Sequence, residues 1–172
     1  MDYIEAPEYL DFYPTPSIFL GGGITGCPDW QTQMVKLLND EQGMLFNPRR
    51  ANFDVNQEGV AKEQIKWEFD HLWKSDIVIF WFCKETVQPI VLLELGARLA
   101  HFVLDEKNSE PASEDITFGQ IVPKCPDILI GIEKGYEREE DVLIQSELAF
   151  GFAPEISRSL EDLAARVKKI IQ

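Results

Sequence analysis

The sequence predicts an α/β protein built on a parallel sheet of four or five strands with helices on both faces. Three observations carry this. Short apolar runs alternate with segments of helical periodicity, the pattern of successive βαβ units. The strongest run, Asp76-Ile77-Val78-Ile79-Phe80-Trp81-Phe82, is continuously apolar after its first residue, as a central strand buried on both faces requires. Apolar residues make up 45% of the 172 residues, enough for one core in one domain.

In chain order, residues 1–16 read as an extended arm. Pro7, Pro14 and Pro16 forbid a helix there, and Tyr3, Tyr9, Phe12 and Tyr13 can pin the arm to a surface. A single domain follows over 17–172. Ser17-Ile18-Phe19-Leu20 is a buried strand running into a glycine-rich loop. Pro28-Asp29-Trp30 opens a helix to about Asn39, with Trp30, Met34, Leu37 and Leu38 on one face. Met44-Leu45-Phe46 is the second strand, and 49–58 is polar loop. Val60 to Lys74 is a helix, with Ile65, Phe69, Leu72 and Trp73 at helical spacing. After the strongest strand, Pro89 starts a helix to about Val103. Residues 105–120 are a polar insertion expected to be a loop. Asp127 to Ile132 is a strand, Glu139 to Leu148 a helix, and Leu160 to Ile171 an amphipathic helix capped by Ser159.

Lys and Arg number 16 against 30 Asp and Glu, a net charge of −14. Nucleic acid is excluded as a general partner, because it requires a basic face that replaces counterions. An anionic membrane surface is excluded on the same ground. Cys27, Cys83 and Cys125 are scattered, no CxxC occurs, and there are two histidines. Neither a disulfide framework nor a metal site is expected, and no cofactor is implied. The acidic, proline-broken N-terminus is not a signal peptide. The longest apolar stretch, Pro89 to Leu104, has 16 residues and carries Glu94, Arg98 and His101, too short and too charged to span a bilayer. A cytoplasmic setting is expected.

Parallel sheets bind ligands beyond the carboxyl ends of their strands. Three segments therefore matter. Gly21-Gly22-Gly23-Ile24-Thr25-Gly26 lets the backbone approach a ligand closely, and Asp29 follows it. It is neither GxGxxG nor a P-loop, which disfavours ATP hydrolysis. Asn47-Pro48-Arg49-Arg50-Ala51-Asn52 places two arginines at a strand end in an acidic chain. They suit a phosphate, a carboxylate or a base edge, or else ordinary surface ion pairs. One of them is expected to face the same cavity as Glu94. In the third segment, 85–96, Glu94 lies among Leu92, Leu93 and Leu95, costly unless paired or used. Arg98, four residues on, offers it a plain helix ion pair. Gly96 removes bulk beside it. Glu68 and Asp70 form a further acidic pair on the preceding helix.

Together these segments resemble the nucleoside 2-deoxyribosyltransferase superfamily, in its nucleoside 2-deoxyribosyltransferase-like branch. The matching pieces are IFLGGGITGCPDWQ (18–31), LFNPRR (45–50), WEFDHLWKSDIVIFWF (67–82) and ETVQPIVLLELG (85–96). The resemblance implies a flavodoxin-like fold. It makes Glu94, the glutamate of ELG, the nucleophile that attacks the anomeric carbon. It assigns contact with the leaving base to Glu68, eight positions before Asp76, with Asp70 as a neighbouring candidate. Gly22, Gly23, Asp29, Arg49, Arg50, Asn52 and Gln88 are the remaining substrate-binding candidates. Gln88 holds a position where relatives have Asp or Ser near the sugar's 5′ group, and Phe19 falls where transferases have a tyrosine.

The implied function is cleavage or transfer at the N-glycosidic bond of a (2′-deoxy)nucleoside or nucleotide through a glycosyl-enzyme. The alternative is a non-catalytic nucleotide-binding module of the same fold, favoured by Phe19 and Gln88. A phosphoribohydrolase with a PGGxGTxxE motif is ruled down by the motif's absence. Glu94 is expected to be ionised at neutral pH. The helix N-terminus favours its charge, while its apolar neighbours oppose it. A homo-oligomer, at least a dimer, is expected from the resemblance.

Overall fold

A computed structural model describes residues 1–12, 14–51, 59–108 and 127–172, with the backbone alone for 105–108. Six strands, β1 (Asp2–Glu5), β2 (Ser17–Gly22), β3 (Met44–Asn47), β4 (Ile77–Phe82), β5 (Asp127–Ile132) and β6 (Ile156–Ser157), form one sheet in the order β1-β3-β2-β4-β5-β6. Every pairing is parallel. Among the described residues the helices are α1 (Trp30–Leu37), α2 (Val60–Lys74), α3 (Pro89–Asn108), α4 (Glu139–Phe150) and α5 (Leu160–Ile171).

The two cores follow from strand alternation. On one face Phe19, Phe46, Val78, Phe80, Phe82 and Ile130 pack with Trp67 and Leu72 of α2, Leu95 and Leu99 of α3 and Val142 of α4. On the other, Ile18, Leu20, Leu45, Ile79 and Leu129 pack with Trp30 and Met34 of α1 and Leu163 and Val167 of α5. β4 is buried along its whole length. Its register with β2 is pinned at the amino ends: Asp76 Oδ2 accepts from both the amide and the hydroxyl of Ser17, each at 2.8 Å. The hydroxyl in turn accepts from the Asp76 amide at 3.0 Å.

The sheet has six strands, not the four or five expected. Four residues of the N-terminal arm pair with the free edge of β3, so the start of the arm is a strand. The other addition is the two-residue β6 beside β5. Helix α3 also runs to Asn108, so 105–108 are helical rather than loop. The rest of the expected 105–120 loop lies outside the described residues. Caps set the smaller helices. Asp29 accepts from the Thr32 amide at 3.1 Å and starts α1, and Ser159 accepts from Asp162 at 3.1 Å and starts α5. Among the described residues no helix is long and apolar enough to cross a membrane.

Candidate functional site

From β2 the chain moves to β3 on one side; from β4 it moves to β5 on the other. The carboxyl ends of β2 and β4 therefore flank the point where the strand order reverses, and a crevice opens there. It holds a cavity of about 350 Å³, lined by residues 21–25, Pro48 and residues 86–91, together with Phe19, Glu68 and Glu94. Pro89 starts α3 immediately after β4's loop, which brings Glu94, in the second turn, over the strand ends. Glu68 enters from α2. The two carboxylates are the only charged side chains among the described residues that line the cavity.

Their electrostatics are set by burial and by each other. Burial, and then the charge of Glu68, push the Glu94 carboxyl up from 4.5 to about 8. Glu94 therefore holds its proton at neutral pH, against the expectation of an ionised side chain. The apolar neighbours and the second carboxylate outweigh a helix dipole that fades past the first turn. Among the described residues no ion pair is made to Glu94. Arg98, the partner offered by sequence, is buried with its guanidinium 4.6 Å from the centre of the Trp73 ring. Glu68 is also raised by burial, offset by a hydrogen bond from Gln64 and by the nearby Arg50 charge. Gln64 Nε2 donates at 2.7 Å to both Glu68 Oε1 and the Pro48 carbonyl, fixing the carboxylate against the β3 end. Sequence reasoning passed over Gln64, although its place four residues before Glu68 on one helix face is the signal.

The glycine loop approaches its neighbours closely. A Cβ on Gly22 would come 2.6 Å from the Trp81 carbonyl oxygen, and one on Gly23 would come 2.8 Å from the Gln88 amide carbon. Gly23 is held on both sides: its N–H donates to Gln88 Oε1 at 2.8 Å, and its carbonyl accepts from Trp30 Nε1 at 3.0 Å. Of the aromatic side chains available to stack on a base, Phe19 lines the cavity, whereas Trp30 and Trp81 are packed in the opposite core.

Neither arginine lines the cavity. Arg49 donates to the carbonyls of Ile24, Cys27 and Pro28 at 3.0, 3.2 and 2.9 Å and to Gln31 Oε1 at 2.9 Å, and it lies 3.6 Å from Asp29. It braces the loop that forms one wall. Arg50 pairs with Glu63 at 2.9 Å. The reason is local: β3 ends beside the β2 loop, whose carbonyls turn towards the guanidinium of Arg49. Asp29 caps α1. Asp70 lies on the outer side of α2, bound to Lys66 at 2.6 Å and to the Tyr9 hydroxyl at 3.0 Å. Asn52 lies outside the described residues. The structure thus gathers Gly22, Gly23, Glu68, Gln88 and Glu94 around one space, and leaves Asp29, Arg49, Arg50 and Asp70 beside it.

A disulfide joins Cys27 in the β2 loop to Cys83 at the end of β4, with 6.4 Å between their Cα atoms. It ties the two cavity-forming loops together, a single link that the expectation of no disulfide framework did not foresee. A larger cavity of about 740 Å³ lies between α3 and α4, lined mostly by Leu, Val and Ala side chains. Size favours that one, but the paired carboxylates and the strand-end position make the smaller the candidate site. Among the described residues no group of three or more His, Cys, Asp or Glu side chains is placed to hold a metal ion.

The model of the family described as nucleoside 2-deoxyribosyltransferase like matches residues 15–103, which take in every strand and helix around the cavity. No curated protein matches the chain.

Proposed function

The chain belongs to the nucleoside 2-deoxyribosyltransferase-like family, and on that premise we propose that it cleaves or transfers at the N-glycosidic bond of a 2′-deoxynucleoside, with Glu94 as nucleophile and Glu68 beside the leaving base. The observation that carries the reading is the pair of carboxylates on separate helices facing one strand-end cavity. In the first step a Glu94 oxygen forms a bond to the anomeric carbon as the bond to the base nitrogen breaks. The base leaves with a proton. In the second step the nitrogen of another base, or water, attacks the same carbon while its proton passes to Glu68, and the Glu94 carboxylate is released.

Proton placement fits this sequence. The resting pair keeps a proton on Glu94 because burial disfavours its charge and the Glu68 charge adds to that. A sugar over Glu94 develops positive charge at its anomeric carbon and favours the ionised carboxylate. The proton then passes towards the base, where Glu68 stands.

An uncharged nucleoside suits this cavity better than a nucleotide. The described lining offers a ligand the Glu68 charge and no cation, and the Arg49 guanidinium faces loop carbonyls. A 5′-phosphate would meet repulsion there.

The test is incubation with a deoxynucleoside, with and without a second free base, followed by chromatography. Base release, with formation of the exchanged nucleoside when the second base is present, supports the reading. Binding without base release identifies a non-catalytic module.

A further inference from the structure

Gln88 is the one described residue other than glycine with a left-handed backbone, at φ 54°, and it stands immediately before Pro89 of α3. That conformation costs a side chain with a Cβ more than it costs glycine, so something must hold it there. The side chain does. It is 94% buried, with 6% of its surface exposed. Its Oε1 accepts from the Gly23 amide at 2.8 Å. Its Nε2 donates to the Cys83 carbonyl at 2.7 Å and reaches Thr86 O and Cys83 Sγ at 3.3 Å. Its own carbonyl accepts the Leu92 amide at 3.1 Å, the first turn of α3. One residue thus joins the β2 loop, the β4 end and the helix that carries Glu94.

We propose that Gln88 is a positioning residue: its amide spans the Gly23 N–H and the Cys83 carbonyl and so fixes the start of α3 relative to the strand ends, setting where Glu94 meets the substrate. Both ends of the amide are committed to the protein. Its donor and acceptor fill the two sites they face, and only an amide of this length does both, since a carboxylate would repel the Cys83 carbonyl. Gln88 lines the cavity with both of its amide groups already bonded to the protein. The role differs from substrate binding, and the two predict different kinetics. A misplaced nucleophile lowers kcat, whereas a lost substrate contact raises KM.

This inference rests on the proposed glycosyl chemistry for its kinetic readout alone; a second readout does not need it. Gln88→Gly suits the left-handed backbone and deletes the strut, and Gln88→Asn tolerates the backbone but leaves the amide one methylene short. Each is compared with the wild type in base release from a deoxynucleoside and in the titration of the Glu94 carboxyl, followed by carbon-detected NMR. The expected result is a fall in kcat of about tenfold to a hundredfold with KM within about threefold. The Glu94 midpoint should drop from about 8 towards 4.5 as the helix start loosens and water enters. An unchanged kcat and midpoint in both variants overturns the proposal, and so does a raised KM with unchanged kcat, which makes Gln88 a substrate ligand. If the wild type releases no base, the glycosyl reading fails, and the midpoint still decides the role of Gln88. Should Gln88→Gly fail to fold, Gln88→Asn carries the same comparison.

Discussion

Glu68 on α2 and Glu94 on α3 face one cavity, and the charge of Glu68 adds to burial in raising the Glu94 carboxyl to about 8. Removing that charge while keeping its shape must therefore release part of the shift. In Glu68→Gln the Glu94 midpoint falls below the wild-type value, and base release slows because the carboxylate that hands the Glu94 proton on to the base is gone. Carbon-detected titration of the glutamate carboxyls reads the first effect. A midpoint that does not move would show that the two charges do not meet.

Stability should depend on pH through the same residue. Glu94 binds its proton more tightly folded than at its ordinary value of 4.5. Between 4.5 and about 8 the folded state keeps a proton that the unfolded chain has lost, so stability falls as pH rises through that window and levels above it. Glu94→Gln lacks this dependence. Urea midpoints at the two ends of the window should show the wild type losing ground to the variant as pH rises. Parallel curves for the two proteins would contradict the shift.

Arg49 offers a test of brace against ligand. It donates to three loop carbonyls and to Gln31. Arg49→Met should lower the unfolding free energy by about 2 kcal/mol, the scale of hydrogen bonds to a charged donor. Urea denaturation measures it. Unchanged stability with a raised KM would make Arg49 a substrate contact instead.

The sheet's centre was legible because β4 needs no partner to declare itself: six consecutive apolar residues have one use in a chain of this polarity. β1 was hidden because its four residues, of which Ile4 alone is buried, sit among prolines and take their structure from the β3 edge. Glu94 stood out as a carboxylate among leucines, but its protonation depends on burial and then on the charge of Glu68, both of which only tertiary structure supplies. The pair Arg49-Arg50 stood out as charge, while the backbone carbonyls that Arg49 meets carry no side-chain signal. Cys27 and Cys83 lie 56 residues apart and are joined only because β2 and β4 are neighbours.

That cross-link predicts sensitivity to reductant. A disulfide closing a loop of this span, 56 residues, removes chain entropy worth about 4 kcal/mol at 25 °C. The wild type should lose Tm on adding a thiol reductant and show more free thiols after it than before. Cys27→Ser with Cys83→Ser should be indifferent to it. A wild-type Tm unaffected by reductant would contradict the link.

The central claim is that Glu94 carries the sugar. Glu94→Gln keeps the shape of the side chain and removes its nucleophilic charge, so base release from a deoxynucleoside should fall by orders of magnitude while the nucleoside still binds. Glu94→Ala should lose turnover as well, with partial recovery on adding azide or formate. The most direct measurement is base release by Glu94→Gln beside the wild type, with peptide mass spectrometry of the quenched wild type. The account predicts near-complete loss in the variant and a deoxyribosyl mass on the Glu94 peptide. Near-normal base release by Glu94→Gln would contradict it.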